Sequence, residues 1–165
     1  MKDRIIIGIA GGSGSGYVYR SHTNTIYNAL CEAGYKTDSK LAERYTRYIA
    51  EQKSKLPAEN FWYIPFVTEM EVATRDIRRA ADESDLALIT LGRMSGEGDD
   101  RHPGKGDYLL TDVEQSLVER VCEEFHRRGK RVVVVTNTGG VIDLSSWHTL
   151  PDAILIGWLA GQQGG

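Results

Sequence analysis

Cysteine is scarce: the 165-residue chain has two, Cys31 and Cys122. Two thiols cannot make a disulfide scaffold, and their spacing matches no metal-ligand pattern. Long hydrophobic runs are missing as well. No apolar stretch approaches the roughly 18 residues that a membrane-spanning helix needs, so the sequence offers no membrane contact of that kind. The start, Met1-Lys2-Asp3-Arg4 and then Ile5-Ile6-Ile7, lacks the apolar stretch and cleavage site of a signal peptide. A reduced, cytoplasmic chain is the expectation. Nor does one sign of charge dominate, with 20 Lys+Arg against 23 Asp+Glu and a net charge of −3. Without a basic footprint or clustered basic-aromatic motifs, nucleic acid is not an expected partner. His22, His102, His126 and His148 are scattered and share no ligand spacing, so no metal and no cofactor are expected. Ser13, Ser15 and Ser95 lie in loops without the G-x-S-x-G elbow of a hydrolase nucleophile.

What is present is an ordinary globular composition, 41% apolar and 26% charged, in a length that suits one domain with its own core. Ile5 to Ala10 is short, β-branched and closed by Gly11-Gly12, which reads as a buried strand. Helical spacing follows over Thr23–Ala33, with Gly34 as a stop. Asp38 then caps a second helix that carries Leu41, Tyr45, Tyr48 and Ile49 on one face. Phe61 to Val67, which holds Pro65, reads as irregular or as a short edge strand. A third helix is expected over Glu69–Glu83 and a second strand over Leu86–Leu91. The long glycine-bearing segment Gly92–Leu110 has the length of a functional loop. Thr111 with Glu114 forms a capping-box pattern for a long helix that Gly129 closes. Arg131–Thr136, with four consecutive valines, is the most strand-like run. A helical turn near Ser145–Leu150 and a last strand over Ala153–Leu159 complete the pattern. Trp147 and Trp158 read as core or interface residues, and Trp62, Tyr63 and Phe66 as a small core cluster.

Strands apolar on both faces, alternating with helices, imply a mostly parallel sheet covered by helices. The expected fold is α/β, a three-layer sandwich of flavodoxin-like or Rossmann-like type, as a single domain over residues 1–165. In such sheets functional loops leave the carboxyl ends of the strands. The segments after Ala10, Leu91 and Thr136 therefore belong to one edge.

Gly11-Gly12-Ser13-Gly14-Ser15-Gly16 after a strand is the setting of a phosphate-binding loop, where glycines let backbone N–H groups converge on an anion. Residues 1–16 resemble the amino terminus of uridine kinases and related P-loop kinases. Tyr17 and Val18 stand where that family has its Lys and Ser/Thr, so neither the phosphate cation nor the Mg²⁺ ligand is present. What remains is a tight glycine connection or a residual anion nest at Gly11, Gly14 and Gly16.

The other candidate segment is Arg93-Met94-Ser95-Gly96-Glu97-Gly98-Asp99-Asp100-Arg101. Gly96 and Gly98 free the backbone on both sides of Glu97, so its carboxyl can be presented at the sheet edge. Asp100 and Arg101 are placed to pair and brace the loop. On composition alone, the segment reads first as a solvated polar loop.

Four stretches in order give it a family context. They are Gly11–Gly16; Leu88–Arg101; Gly106–Glu114; and Val132–Gly140 with Ala153–Trp158. Together they make the chain from about Gly11 to Gly165, with residues 17–165 beyond the kinase-like head, look like the carboxyl-terminal α/β-sandwich domain of glycoside hydrolase family 3, the β-glucosidases. The resemblance implies that Glu97 is the general acid/base of a retaining hydrolase, with Asp100 and Arg101 as supporting loop residues. It also implies a partner, a (β/α)8 barrel that supplies the Asp nucleophile and most of the β-glucoside pocket. This chain has no room for that barrel and stops short of the domain's usual last strand and helix. It is therefore expected to be inactive alone. A kinase-like head on a glycosidase-like body has two explanations, a recombined chain or a chance similarity of one Ile-rich strand, and the chimera is preferred.

Overall fold

The Ile-rich run that opens the chain forms strand β1, Arg4–Ile9, at the heart of a parallel sheet in the computed structural model. The structure describes residues 4–9 (backbone only), 25–58, 67–93 and 101–158. Helix α1, Ile26–Glu32, follows, and the Thr25 hydroxyl accepts from the Asn28 amide to cap it. Gly34, at φ +83°, ends that turn in the left-handed region. Strand β2, Lys36–Thr37, has only two residues and was not expected from its polar sequence. Asp38 caps α2, Ser39–Ser54, by accepting from the Leu41 amide, and Leu41 and Tyr45 are buried as the spacing requires.

The third helix differs from expectation. It starts at Thr74 rather than Glu69, giving α3 as Thr74–Glu83. Residues 67–73 belong to no helix or strand, and Met70 and Val72 are buried while Glu71 between them is exposed. That alternation is the two-residue period of extended chain, and it overrides a helical reading of the same apolar residues. Strand β3 runs Leu86–Arg93, two residues beyond the expected end. Helix α4, Asp112–His126, has the full capping box between Thr111 and Glu114, and Gly129 at φ +66° lies beyond its end. Strand β4 covers Arg131–Thr138 and β5 Ala153–Ile156.

All pairings are parallel, in the order β2-β1-β3-β4-β5. Right-handed crossovers place α1 on one face and α2, α3 and α4 on the other, which is the three-layer α/β sandwich that the pattern implies. Ala87, Ile89 and Leu91 of β3 align with Val132, Val134 and Thr136 of β4 on the multi-helix face. There they meet Ile77, Ala80 and Ala81 of α3 and Leu117, Val118, Val121 and Phe125 of α4 in one cluster. Trp147 is fully buried in that core and donates its indole N–H to the Asp143 carbonyl at 3.0 Å. Its segment, 145–149, is a turn. Trp158, by contrast, is not core: it is 53% exposed and sits at φ +50°. Trp62, Tyr63 and Phe66 lie outside the described residues. At the far end of the sheet, the buried Glu124 carboxylate takes Arg78 and Arg128, each at 2.8 Å, and ties α3 to α4. Among the described residues no helix is long and apolar enough to cross a membrane.

Candidate functional site at the carboxyl edge of the sheet

In this strand order the chain reverses direction between β1 and β3. That switch point is where open α/β sheets place their ligands, beyond the carboxyl ends of the strands. β1 and β3 are parallel neighbours, with Ile9 opposite Thr90. The chain after Ile9 carries Gly11, Gly14 and Gly16, and the chain after Arg93 carries Glu97 and Asp100. The topology thus starts both candidate segments from one edge. Those five residues themselves lie outside the described ones.

The stems of the second segment are well defined. Arg93, the last residue of β3, is 1% exposed and follows Leu91 onto the multi-helix face. A bare guanidinium there would carry a desolvation cost of several kcal/mol. It is instead matched completely. NH1 and NH2 reach the two carboxylate oxygens of Glu114 at 2.7 and 2.8 Å, a two-pronged ion pair. The remaining bonds go to backbone carbonyls: NH1 to Gly92 at 2.7 Å, Nε to Asp107 at 2.9 Å and NH2 to Leu109 at 3.3 Å. A guanidinium has five N–H donors, and this surrounding provides an acceptor for each. Glu114 does double duty, since its Oε2 also accepts from the Thr111 amide at 2.8 Å. One carboxylate therefore starts α4 and neutralises the end of β3.

On the other side of the segment, Arg101 pairs with Asp107 at 2.7 Å. The expected Arg101 partner was Asp100; among the described residues its ion pair is with Asp107. Asp107 also accepts from the His102 amide at 2.7 Å, with the His102 ring 3.4 Å away. Partial burial pushes the Asp107 carboxyl upward, but the Arg101 and His102 hydrogen bonds and the Arg101 charge outweigh it, holding the group below its usual range. Between them the chain folds back on itself. The Gly106 amide bonds the Leu109 carbonyl at 2.9 Å, and the Leu109 amide bonds Gly104 at 3.0 Å. This turn needs Gly106 at φ +88°, where an added Cβ would lie 3.3 Å from the Thr111 methyl. The Asp143 amide donates to the Tyr108 carbonyl at 2.7 Å, which joins the turn to the connection after β4. Gly140 of that connection lies against Arg101, and a Cβ there would come within 3.3 Å of its Nε.

Residues 5–165 match the glycosyl hydrolase family 3 C-terminal domain. The chain belongs to that family. It is 32% identical over 157 residues to a beta-glucosidase of Ruminococcus albus, covering 93% of this chain and 16% of that protein. It is also similar to the solved structure of beta-glucosidase 3B from Thermotoga neapolitana in complex with alpha-D-glucose. There the TM-score is 0.88 at 34% identity, over 99% of this chain and 24% of that one. A beta-glucosidase structure from Paenibacillus barengoltzii gives a TM-score of 0.80 at 25% identity, over 98% of this chain and 19% of that one. The chain thus spans about a sixth to a quarter of the relatives it matches. The family match begins at residue 5 and so takes in β1 and the glycine loop, the part whose sequence resembles a kinase.

Within this family 3 domain, the residues that sequence reasoning missed are Arg93, Asp107 and the second role of Glu114. Arg93 reads as the first polar residue of a loop, and nothing local says that it is buried. The only signal was Glu114, 21 residues later and already accounted for as a cap. A further buried carboxyl, Glu69, accepts from the Tyr45 hydroxyl at 2.5 Å and from the Met70 amide at 3.0 Å. Its other oxygen is buried without a hydrogen-bond partner among the described residues. Burial, with the Glu114 charge adding, outweighs those bonds and raises Glu69 to about 7. Among the described residues no cluster of His, Cys, Asp and Glu could hold a metal.

Proposed function

We propose that this domain supplies Glu97 as the general acid/base of a retaining β-glucosidase, and that a separate (β/α)8 barrel supplies the carboxylate nucleophile and the glucoside pocket. The reading is carried by one placement. The segment that holds Glu97 leaves β3 at the switch-point edge, with an arginine fixed at each end of it. The family match and the beta-glucosidase relatives support it, as does the small share of those relatives that this chain spans. In a retaining mechanism, one carboxylate attacks the anomeric carbon while a protonated carboxyl gives its proton to the leaving oxygen. The second group then activates the water that hydrolyses the glycosyl-enzyme. The two carboxyls stand about 5–5.5 Å apart in such sites, so Glu97 must face the barrel closely and the domain alone does not turn over. The cytoplasm is the proposed compartment, and the two free thiols, Cys31 and Cys122, support it. No observation on the described residues favours a phosphate site at the glycine loop or a chimeric origin.

The experiment joins the domain to a family 3 barrel and measures hydrolysis of an aryl β-glucoside. Turnover that requires both parts and falls by about 10²–10⁴ in Glu97→Gln supports the reading. Turnover by the 165-residue chain alone, or an unaffected Glu97→Gln, overturns it.

A further inference from the structure

One buried carboxyl takes no part in the stems of either candidate segment. Glu69 lies in the 67–73 strap that leads into α3, close enough to the first turn of α4 to feel the Glu114 charge. Both donors that reach it, the Tyr45 hydroxyl and the Met70 amide, go to one oxygen, Oε1, while Oε2 is buried with no hydrogen-bond partner among the described residues. We infer that Glu69 is a pH-operated latch: as the neutral acid it holds residues 67–73 against α2 and α4, and loss of its proton favours release of that strap.

The bonding pattern suits the neutral acid. A carboxylate takes donors on both oxygens, whereas a protonated carboxyl has one accepting carbonyl oxygen and one hydroxyl. Here Oε1 accepts twice and Oε2 receives nothing, so Oε1 is the carbonyl and Oε2 carries the proton. An ionised group in this place would bury a charged oxygen without a donor, and such groups neutralise instead. The charged neighbours do not offset that cost. On α2, Arg44 is spent on Asp76 of α3, and Tyr48 meets Thr68 through its hydroxyl. Burial, with the Glu69 charge adding, keeps the Tyr45 hydroxyl protonated well above its usual range. On α4, Arg120 gives NH1 to the Val72 carbonyl at 2.7 Å and Nε to the Ser116 carbonyl at 3.2 Å. Glu114, whose charge opposes a second carboxylate, is itself held by Arg93 of β3. Glu71, on the strap, is exposed. Burial therefore prevails over the Tyr45 and Met70 bonds and raises Glu69 to about 7.

The strap is also the segment able to yield. It belongs to no helix or strand. Besides Glu69, the buried side chains of Met70 and Val72 and the Arg120 bond to the Val72 carbonyl hold it in place. Segments with so few backbone bonds open at a fraction of the global unfolding free energy. Closed, Glu69 keeps its proton up to about pH 7; open and in water, it is an ordinary glutamate that ionises near pH 4.5. Opening is therefore hardest below about pH 4.5, becomes about tenfold easier with each pH unit from there to 7, and levels off above that. The whole span is about 10²–10³-fold.

The test is amide hydrogen exchange of the 165-residue chain from about pH 5 to about pH 8.5, corrected for the base-catalysed rate of a free amide. The Glu69 Cδ resonance is followed in the same samples. The expected result is a Glu69 midpoint near pH 7 and a Met70 amide whose protection falls about 10²-fold between pH 5 and 7, then holds level. Met70 should be less protected than Val134, in the sheet interior on β4, at every pH, because the strap opens without the sheet. Glu69→Gln should make the Met70 profile flat, and Glu71→Gln, an exposed carboxyl on the same strap, should leave it unchanged. Tyr45→Phe removes a donor from Oε1 and should move the Cδ midpoint to higher pH. A parent midpoint near pH 4.5 overturns the latch whatever the variants do. So does a Met70 amide that exchanges only together with Val134, or a pH slope that persists in Glu69→Gln.

Discussion

Replacing Arg93 by Met removes a cation whose side chain is 1% exposed and leaves the Glu114 carboxylate, 3% exposed, without its partner. Breaking one side of a buried pair costs about 3–5 kcal/mol. Glu114→Gln should cost less, about 2–3 kcal/mol, because Gln still accepts from the Thr111 amide and can keep one bond to Arg93. The double variant Arg93→Met/Glu114→Gln buries no charge. It should therefore be no less stable than Arg93→Met alone, which gives a coupling of about 2–3 kcal/mol. A chain of this length holds roughly 8–25 kcal/mol at ordinary stability per residue, so all three variants should fold. Urea denaturation followed by circular dichroism, at pH 7 and fixed salt, gives the four free energies. Costs that add to within about 0.5 kcal/mol would refute the pair as a unit. Arg93→Lys is the check on geometry: with fewer donors for the same acceptors, it should lose about 1–2 kcal/mol although the charge is retained.

Glu69, raised to about 7 by burial, binds a proton in the folded state that the unfolded chain has lost above about pH 4.5. Stability from this group is therefore highest below that pH and declines as pH rises through 7. Glu69→Gln should gain on the parent chain by about 3 kcal/mol between pH 4.5 and 8; parallel pH profiles would contradict this. Glu124 has the opposite sign. The Arg78 and Arg128 hydrogen bonds lower it to about 2, so its contribution is complete above about pH 4.5 and fades towards pH 2, and Glu124→Gln should flatten the acid limb of thermal melts. Gly106→Ala forces a side chain into a left-handed φ beside the α4 cap and should cost about 1–2 kcal/mol in urea denaturation. Trp147→Ala should cost about 3–5 kcal/mol, and the loss of a blue-shifted, quencher-protected emission component would show that the buried indole was the one removed.

Local signals carried most of the fold. Asp38 and Thr111 cap where their spacing says, because an N-cap is a contact within three residues. The apolar runs of β1, β3 and β4 are interior strands, each with a parallel neighbour on either side, and need no partner to be recognised. Errors arose where distant contacts decide. Lys36–Thr37 is a strand only because β1 lies beside it. Met70 and Val72 fit a helix with Ile77 as well as they fit a non-helical strap, and the burial of alternate residues decides for the strap. Gly92 and Arg93 extend β3 because Asn137 and Thr138 continue β4 opposite them. At the site, Glu97 is a reading from its glycine neighbours and the family resemblance. Asp107 was not legible, since its meaning comes from two arginines that only the fold brings to it.

The most direct test of the account is the rate of aryl β-glucoside hydrolysis by the domain joined to a family 3 barrel, compared with the same protein carrying Glu97→Gln. The account predicts turnover that the isolated chain lacks, a loss of about 10²–10⁴ in the variant, and formation of the β-glucosyl azide by the variant when azide, which needs no general base, replaces the base-activated water. Undiminished turnover in Glu97→Gln would contradict the assignment of this edge as the acid/base side of the site.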